Sequence, residues 1–309
     1  LRLFIDYKLT DSGKGNFLRR LMPALENIGV KCVKKKADVA LGISKWKSNP
    51  KGLPRVLRVD GAHVWNTGRN RWVNKNIKKG IKSSDLVIWQ SKFAGRMVPV
   101  LLKCQPENSC IIYNGANPND FNVPLIKKPR PKMVILSSRW KTRPQKRLRE
   151  SLKIAKILMK QRKDVGFWLA GKTDKKTKQD GVYVLGHLDQ KTLARYLRTA
   201  DVMLAIPWYD WCPNAVVEAL VAGCPVVCNN GSGTEEIVGD VGGIVCPVDK
   251  PLKFKMVGDI KPPKIDRQPI LDALNKILDS PYRVNKPELF IENIALQYKK
   301  AFESACGLD

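Results

Sequence analysis

Short apolar runs alternate with amphipathic stretches along the chain, and their spacing predicts strands alternating with helices. Leu3–Ile5 reads as a strand. After Asp11-Ser-Gly-Lys-Gly15, the residues Phe17, Leu18, Leu21 and Leu25 share one face of a helix ending near Ile28. Val39–Leu41, Arg55–Val59, Leu86–Trp89 and Cys110–Tyr113 are further strands. Asn122–Lys132 then places Pro124, Pro129 and Pro131 among Lys127, Lys128, Arg130 and Lys132, a linker composition. A second alternation follows. Met133–Ser137, Phe167–Ala170, Val182–Leu185, Val202–Ile206 and Pro225–Cys228 read as strands. Lys146–Lys160, Gln190–Thr199 and Ala215–Val221 read as helices, with two more near Pro269–Leu278 and Pro287–Ser304. Such alternation argues for parallel sheets with crossover helices. The expected architecture is α/β: two facing Rossmann-like domains, residues 1–128 and 129–285, with a terminal helix, 286–309, returning to the first. The loops at the carboxyl ends of both sets of strands would then line a deep inter-domain cleft.

Composition narrows the class. The chain has 309 residues, 43% hydrophobic and 7% aromatic, as in a folded protein rather than a disordered one. No apolar run approaches the roughly 18 residues of a membrane span, which excludes an integral membrane role. Arg2, Asp6 and Lys8 interrupt any apolar core of a leader near the start. Charge says more: 56 Lys and Arg stand against 28 Asp and Glu, a net charge of +28. Residues 1–180 hold 42 basic and 12 acidic residues, whereas residues 181–309 hold 14 and 16. A general lysine bias would not stop at residue 180, so the imbalance points to a face for an anionic partner. Eight scattered cysteines without a Cys-x-x-Cys, and only two histidines, supply no clustered zinc ligands. Buried free thiols in a reducing compartment are expected, and no metal.

The densest chemistry lies between Ala205 and Ile237. Asp210 follows a strand, and Glu218 comes eight residues later, one turn inside a helix that Asn214 precedes. A Gly223-Cys-Pro225 turn leads to a buried strand, and Gly231-Ser-Gly233-Thr234 opens another helix. Carboxylates suit ribose and hexose hydroxyls, while glycines and helix N-terminal amides let a diphosphate approach the backbone. This run resembles the donor-binding signature of family 4 retaining glycosyltransferases of GT-B fold: an acid, seven residues, Glu, Ala, a Gly-x-Pro-Val-Val turn and a glycine-rich step. Ser137-Ser-Arg-Trp-Lys141 through Lys146-Arg-Leu148 resembles that family's strand–loop–helix, and Leu185-Gly-His187, Tyr196–Asp201, Gln90–Phe93 and Ile111–Ala116 extend the likeness. It covers about residues 85–250.

The resemblance implies that Glu218 holds the donor ribose and that Arg139 and Lys146 neutralise the leaving diphosphate. Asp210, where the family usually has Glu, would stand near the donor sugar. Asn214, Gly233 and Thr234 complete the expected donor set, and Gly13 and Gly15 look like the family's first glycine loop. Each feature taken singly has an ordinary structural explanation; their order and spacing together favour donor binding. The implied donor is a nucleotide sugar, UDP-glucose, with no further cofactor.

For the acceptor, Asp60 and His63, following the strand Arg55–Val59, are candidates to orient or deprotonate a hydroxyl. They could equally be a turn residue and a structural imidazole. The resemblance implies a front-face retaining mechanism in which the departing phosphate takes the acceptor proton. Trp65, Arg69, Arg71, Trp72, Lys75 and Lys78, with Lys79 and Lys82, suit a phosphate backbone and stacked bases, or else form a solvated basic face over core indoles. The favoured acceptor is DNA bearing a hydroxymethylated pyrimidine, as in phage-type DNA glucosyltransferases, acting in the cytoplasm (the host's, for a phage-encoded chain). The rivals are a peripheral membrane transferase acting on a lipid-linked or surface glycan, and an inactive nucleic-acid-binding module on the same scaffold.

Overall fold

In the computed structural model the described residues are 1–48, 50–138, 143–172, 180–248, 250, 255–258 and 261–308. They form two α/β units, each with one six-stranded parallel sheet. The first unit contains β1 (Arg2–Asp6), α1 (Gly13–Asn27), β2 (Lys31–Cys32), β3 (Val39–Ile43), β4 (Arg55–Val59), α2 (Gly68–Lys82), β5 (Leu86–Trp89), α3 (Lys92–Leu102) and β6 (Ser109–Ile111). The second contains β7 (Lys132–Ser137), α4 (Leu148–Gln161), β8 (Val165–Ala170), β9 (Val182–Gly186), α5 (Gln190–Thr199), β10 (Val202–Ala205), α6 (Asn214–Val221), β11 (Val226–Asn229), α7 (Gly233–Val238), β12 (Gly243–Cys246) and α8 (Gln268–Asp279). The chain then returns to the first unit with α9 (Ile291–Ala305).

The central strands β3 and β8 are buried at every residue, because helices cover both faces of a parallel sheet. Their sequences are accordingly continuous apolar runs rather than alternating ones. In the first unit Phe17, Leu18, Leu21 and Leu25 of α1 pack with Ile294, Tyr298 and Phe302 of α9, the Phe17 and Tyr298 rings lying 6.0 Å apart. Each such large side chain contributes roughly 1.5–3 kcal/mol by leaving water. The second core joins Ile154 and Leu158 of α4 to Phe167, Leu169, Ile270, Leu274 and Ile277.

Strand order locates the functional ends. The first sheet runs β2-β1-β3-β4-β5-β6 and the second β12-β11-β10-β7-β8-β9. Succession therefore reverses between β1 and β3 in one, and between β7 and β10 in the other. Loops leaving the carboxyl ends at a reversal diverge to opposite faces and leave room for a ligand.

The structure departs from the sequence pattern in several places, among them β2 and α3, which have no counterpart among the expected elements. The helix expected from Lys146 starts at Leu148. Pro144–Lys146 is a single 3-10 turn, and Arg147 breaks the run with a left-handed φ of 53°. The stretch of cations and indoles after His63 contains α2, whose buried Ile77 and Ile81 sit one turn apart. Gly243–Cys246 forms the four-residue edge strand β12, which has no counterpart among the expected elements.

Candidate functional site

In the second unit the reversal point carries the loop after β7 and the loop after β10. The two are tied together: the Trp208 N–H donates to the Gln145 carbonyl at 2.7 Å. Lys146 is the last residue of the 3-10 turn that precedes α4, and its ammonium forms an ion pair with Asp210. Both side chains are largely shielded, 20% and 14% exposed. The residues expected to serve diphosphate and sugar are thus paired with each other. A third loop closes on them. The Gly233 N–H donates to the Asp210 carbonyl at 2.8 Å, and a Cβ at Gly233 would overlap the Trp211 carbonyl oxygen. Only glycine admits that approach. Asn229 reinforces the arrangement, its amide donating to the Pro207 carbonyl at 2.8 Å.

Asn214 and Glu218 lie one turn apart at the start of α6, so they share a face. Both are half-buried. Thr234 is fully buried, and its hydroxyl has no hydrogen-bond partner among the described residues. Neighbouring Tyr209 is buried too; burial pushes its hydroxyl up to about 12, a rise that Arg143 opposes and Asp210 reinforces. It stays neutral at any physiological pH. Arg139 lies outside the described residues.

In the first unit Asp60 directly follows β4, and its carboxylate is enclosed by cations. Arg58 pairs with it from below, Lys14 lies 3.4 Å from Oδ2, and the Ser44 hydroxyl donates to Oδ2 at 2.9 Å. Arg58 is 1% exposed; it donates to Gln90 and Asn114, and its guanidinium sits 4.2 Å from the centre of the Phe17 ring. His63 is exposed, and its backbone is clamped by Asn74, which accepts from its N–H at 2.9 Å and donates to its carbonyl at 2.8 Å. Gly13 opens α1. Gly15 in its first turn lies so close to the Thr10 carbonyl that a Cβ there would overlap it.

The basic stretch is a helical face. Arg69, Arg71, Trp72 and Lys75 on α2 are exposed, Lys78 is half-buried, and α2 contains no acidic residue. Trp72 is 59% exposed, with the Lys45 ammonium 4.9 Å from its ring centre. Trp65 is committed structurally: its indole N–H donates to the Gly258 carbonyl at 2.8 Å, and its backbone bridges to Val257. Sequence inspection passed over Lys14, Ser44 and Arg58. Ser44 and Arg58 lie at the carboxyl ends of β3 and β4, and Lys14 in the first turn of α1.

Comparison with known proteins gives this geometry a class. Residues 131–256 match the family model described as glycosyl transferases group 1, about two-fifths of the chain and nearly all within the second unit. No curated protein matches by sequence. Among solved structures, sucrose-phosphate synthase from Thermosynechococcus elongatus superposes with a TM-score of 0.72 over 100% of both chains at 14% identity. WaaG, a glycosyltransferase involved in lipopolysaccharide biosynthesis, gives 0.66 over 99% of this chain and 100% of its own at 13% identity. HepE from Anabaena, solved in complex with UDP-glucose, gives 0.61 over 98% and 99% at 14% identity. The fold is GT-B, and the matched stretch of the second unit is similar to group 1 glycosyl transferases.

Proposed function

We propose that the protein is a retaining glycosyltransferase that moves glucose from UDP-glucose to a hydroxyl on DNA, the hydroxymethyl group of a modified pyrimidine. The observation that carries the donor half is the convergence of Lys146, Asp210 and Gly233 at the reversal point of the second sheet, inside the matched stretch. Lys146 supplies positive charge for the diphosphate, and Glu218 and Asn214 face the ribose from α6. In transfer the bond from the sugar C1 to the diphosphate oxygen breaks and the acceptor oxygen bonds to C1. The acceptor proton passes to the departing phosphate, so no protein base is required. Asp60, held by Arg58 and Lys14, orients the acceptor. The acid-free cationic face of α2 with its exposed Trp72 supports a polyanionic acceptor. A base hydroxyl inside a duplex would have to be flipped out to react.

The deciding experiment offers labelled UDP-glucose with DNA containing hydroxymethylcytosine, hydroxymethyluracil or only ordinary bases. Label on hydroxymethylated DNA alone, lost in Glu218→Ala, is the expected result. Hydrolysis of UDP-glucose with no labelled DNA would remove the acceptor while keeping the donor. Co-sedimentation with anionic liposomes would then favour a membrane glycan. Failure to bind any nucleotide sugar would leave only an inactive binding module.

A further inference from the structure

The reversal point of the first sheet, between β1 and β3, holds a second convergence of charge. The loop after β1 carries Tyr7, Thr10 and Ser12 into α1, and the loop after β3 carries Ser44 and Lys47. Lys14, in the first turn of α1, donates to the Ser44 hydroxyl at 2.5 Å. The Lys47 ammonium stands 4.5 Å from the centre of the Tyr7 ring, and the Tyr7 hydroxyl lies 3.2 Å from Thr10 Oγ1 and 3.4 Å from Ser12 Oγ. Asp6, the last residue of β1, fixes the second loop by accepting from the Lys47 N–H at 2.6 Å, the Ser48 N–H at 2.9 Å and the Ser48 hydroxyl at 3.0 Å.

The charge here does not balance. Lys14, Lys47 and Arg58 are the cations. Asp6 is occupied by the loop it holds, Asp60 is shared between Arg58 and Lys14, and Asp11 turns away to Arg19 at 2.9 Å. The first turn of α1 has no acidic residue. We propose that Lys14 and Lys47, with the hydroxyls of Tyr7, Thr10 and Ser12, form a subsite for a phosphate group carried by the acceptor. The proposal rests on assigning the acceptor to the first unit.

Burial, with repulsion from Arg58, pushes Lys14 down to about 8. The hydroxyl of Tyr7 is lowered although burial raises it, because its hydrogen bonds to Ser12 and Thr10 and the charges of Lys14 and Lys47 outweigh burial. Both lysines therefore border one small volume whose described carboxylates, Asp6 and Asp60, are already engaged, and an oxyanion adds negative charge there. Phosphate binds the ammonium form of Lys14. Affinity is thus complete below pH 8 and falls as pH rises through that value, while bound phosphate raises the lysine's own pKa.

The test follows the Lys14 Nζ resonance by NMR in the full chain, assigned by its loss in Lys14→Arg. In chloride buffer it should titrate near 8, and millimolar inorganic phosphate should move it upward. Lys47→Gln should weaken the phosphate response about tenfold, and Tyr7→Phe less, with the fold of each variant checked by circular dichroism. A Lys14 titration indifferent to phosphate, or equally responsive in Lys47→Gln, overturns the proposal. So does a response to UDP that Glu218→Ala abolishes, which would give these lysines to the donor. Hexose phosphate and a short DNA duplex, compared as ligands, identify whether a phosphomonoester or a phosphodiester is the natural source. Phosphate response without DNA glucosylation leaves the subsite standing and removes the DNA acceptor; glucosylation with a silent Lys14 does the reverse.

Discussion

At Gly233 a single hydrogen in place of a methyl group decides whether three loops can meet. Gly233→Ala drives a Cβ into the Trp211 carbonyl, and neither partner is a flexible side-chain end. The loop bearing Asp210 must move, which should cost about 1–3 kcal/mol of stability and weaken UDP binding at least tenfold by calorimetry. Its neighbour predicts the opposite sign. The Thr234 hydroxyl is buried without a partner among the described residues, so Thr234→Val removes an uncompensated polar group. Thermal or urea unfolding should show stability unchanged or raised by about 1 kcal/mol. Lys146 teaches a related lesson. The apolar periodicity of Leu148, Leu152, Ala155 and Met159 is that of a helix, and nothing in it marks the left-handed Arg147 or the pairing of Lys146 with Asp210. Side-chain pairing across 64 residues of sequence has no local signature.

Among the elements, α2 carries the sharpest expectation. Exposed Lys75 and Lys79 lie one turn apart on its surface, away from the buried Ile77 and Ile81. Lys75→Glu with Lys79→Glu should leave thermal stability within about 0.5 kcal/mol. It should also weaken duplex binding and flatten the dependence of log affinity on log salt by roughly 0.9 for each DNA phosphate that the helix no longer neutralises. An unchanged slope would detach this helix from the acceptor. The strands and most helices of both sheets are legible in the sequence because parallel strands buried on both faces read as apolar runs, and their covering helices repeat every three to four residues. α2 is less so: its buried face is narrow, and its cations dominate the composition. The residues proposed to bind the donor stand out through motif spacing. The Lys14–Ser44–Asp60 cluster does not, since it forms only when strand order brings three separate loops together.

For the whole molecule, the distribution of thiols gives a further check. All eight cysteines are free, and Cys104, Cys212, Cys224, Cys228 and Cys246 are buried. Burial pushes Cys224 up to about 12 and Cys246 to about 11, so neither offers a thiolate near neutrality. A thiol reagent on the native protein should reach no more than Cys32, Cys110 and Cys306, and all eight after denaturation; mass spectrometry of the labelled chain reads the result. No described helix is long and apolar enough to cross a membrane. The return of α9 to the first unit has a consequence for biosynthesis. The face of α1 that carries Phe17 is completed by Tyr298 and Phe302, although β6 is already made by residue 111. At roughly 5–20 residues per second, about 10–40 s of translation separate the two. During that interval the nascent first unit carries an open hydrophobic seam on the ribosome, and the second unit, whose segments end at Pro287, can finish first. The half of the protein that is begun first is the last to be sealed, and its seam is where a nascent-chain chaperone would be needed.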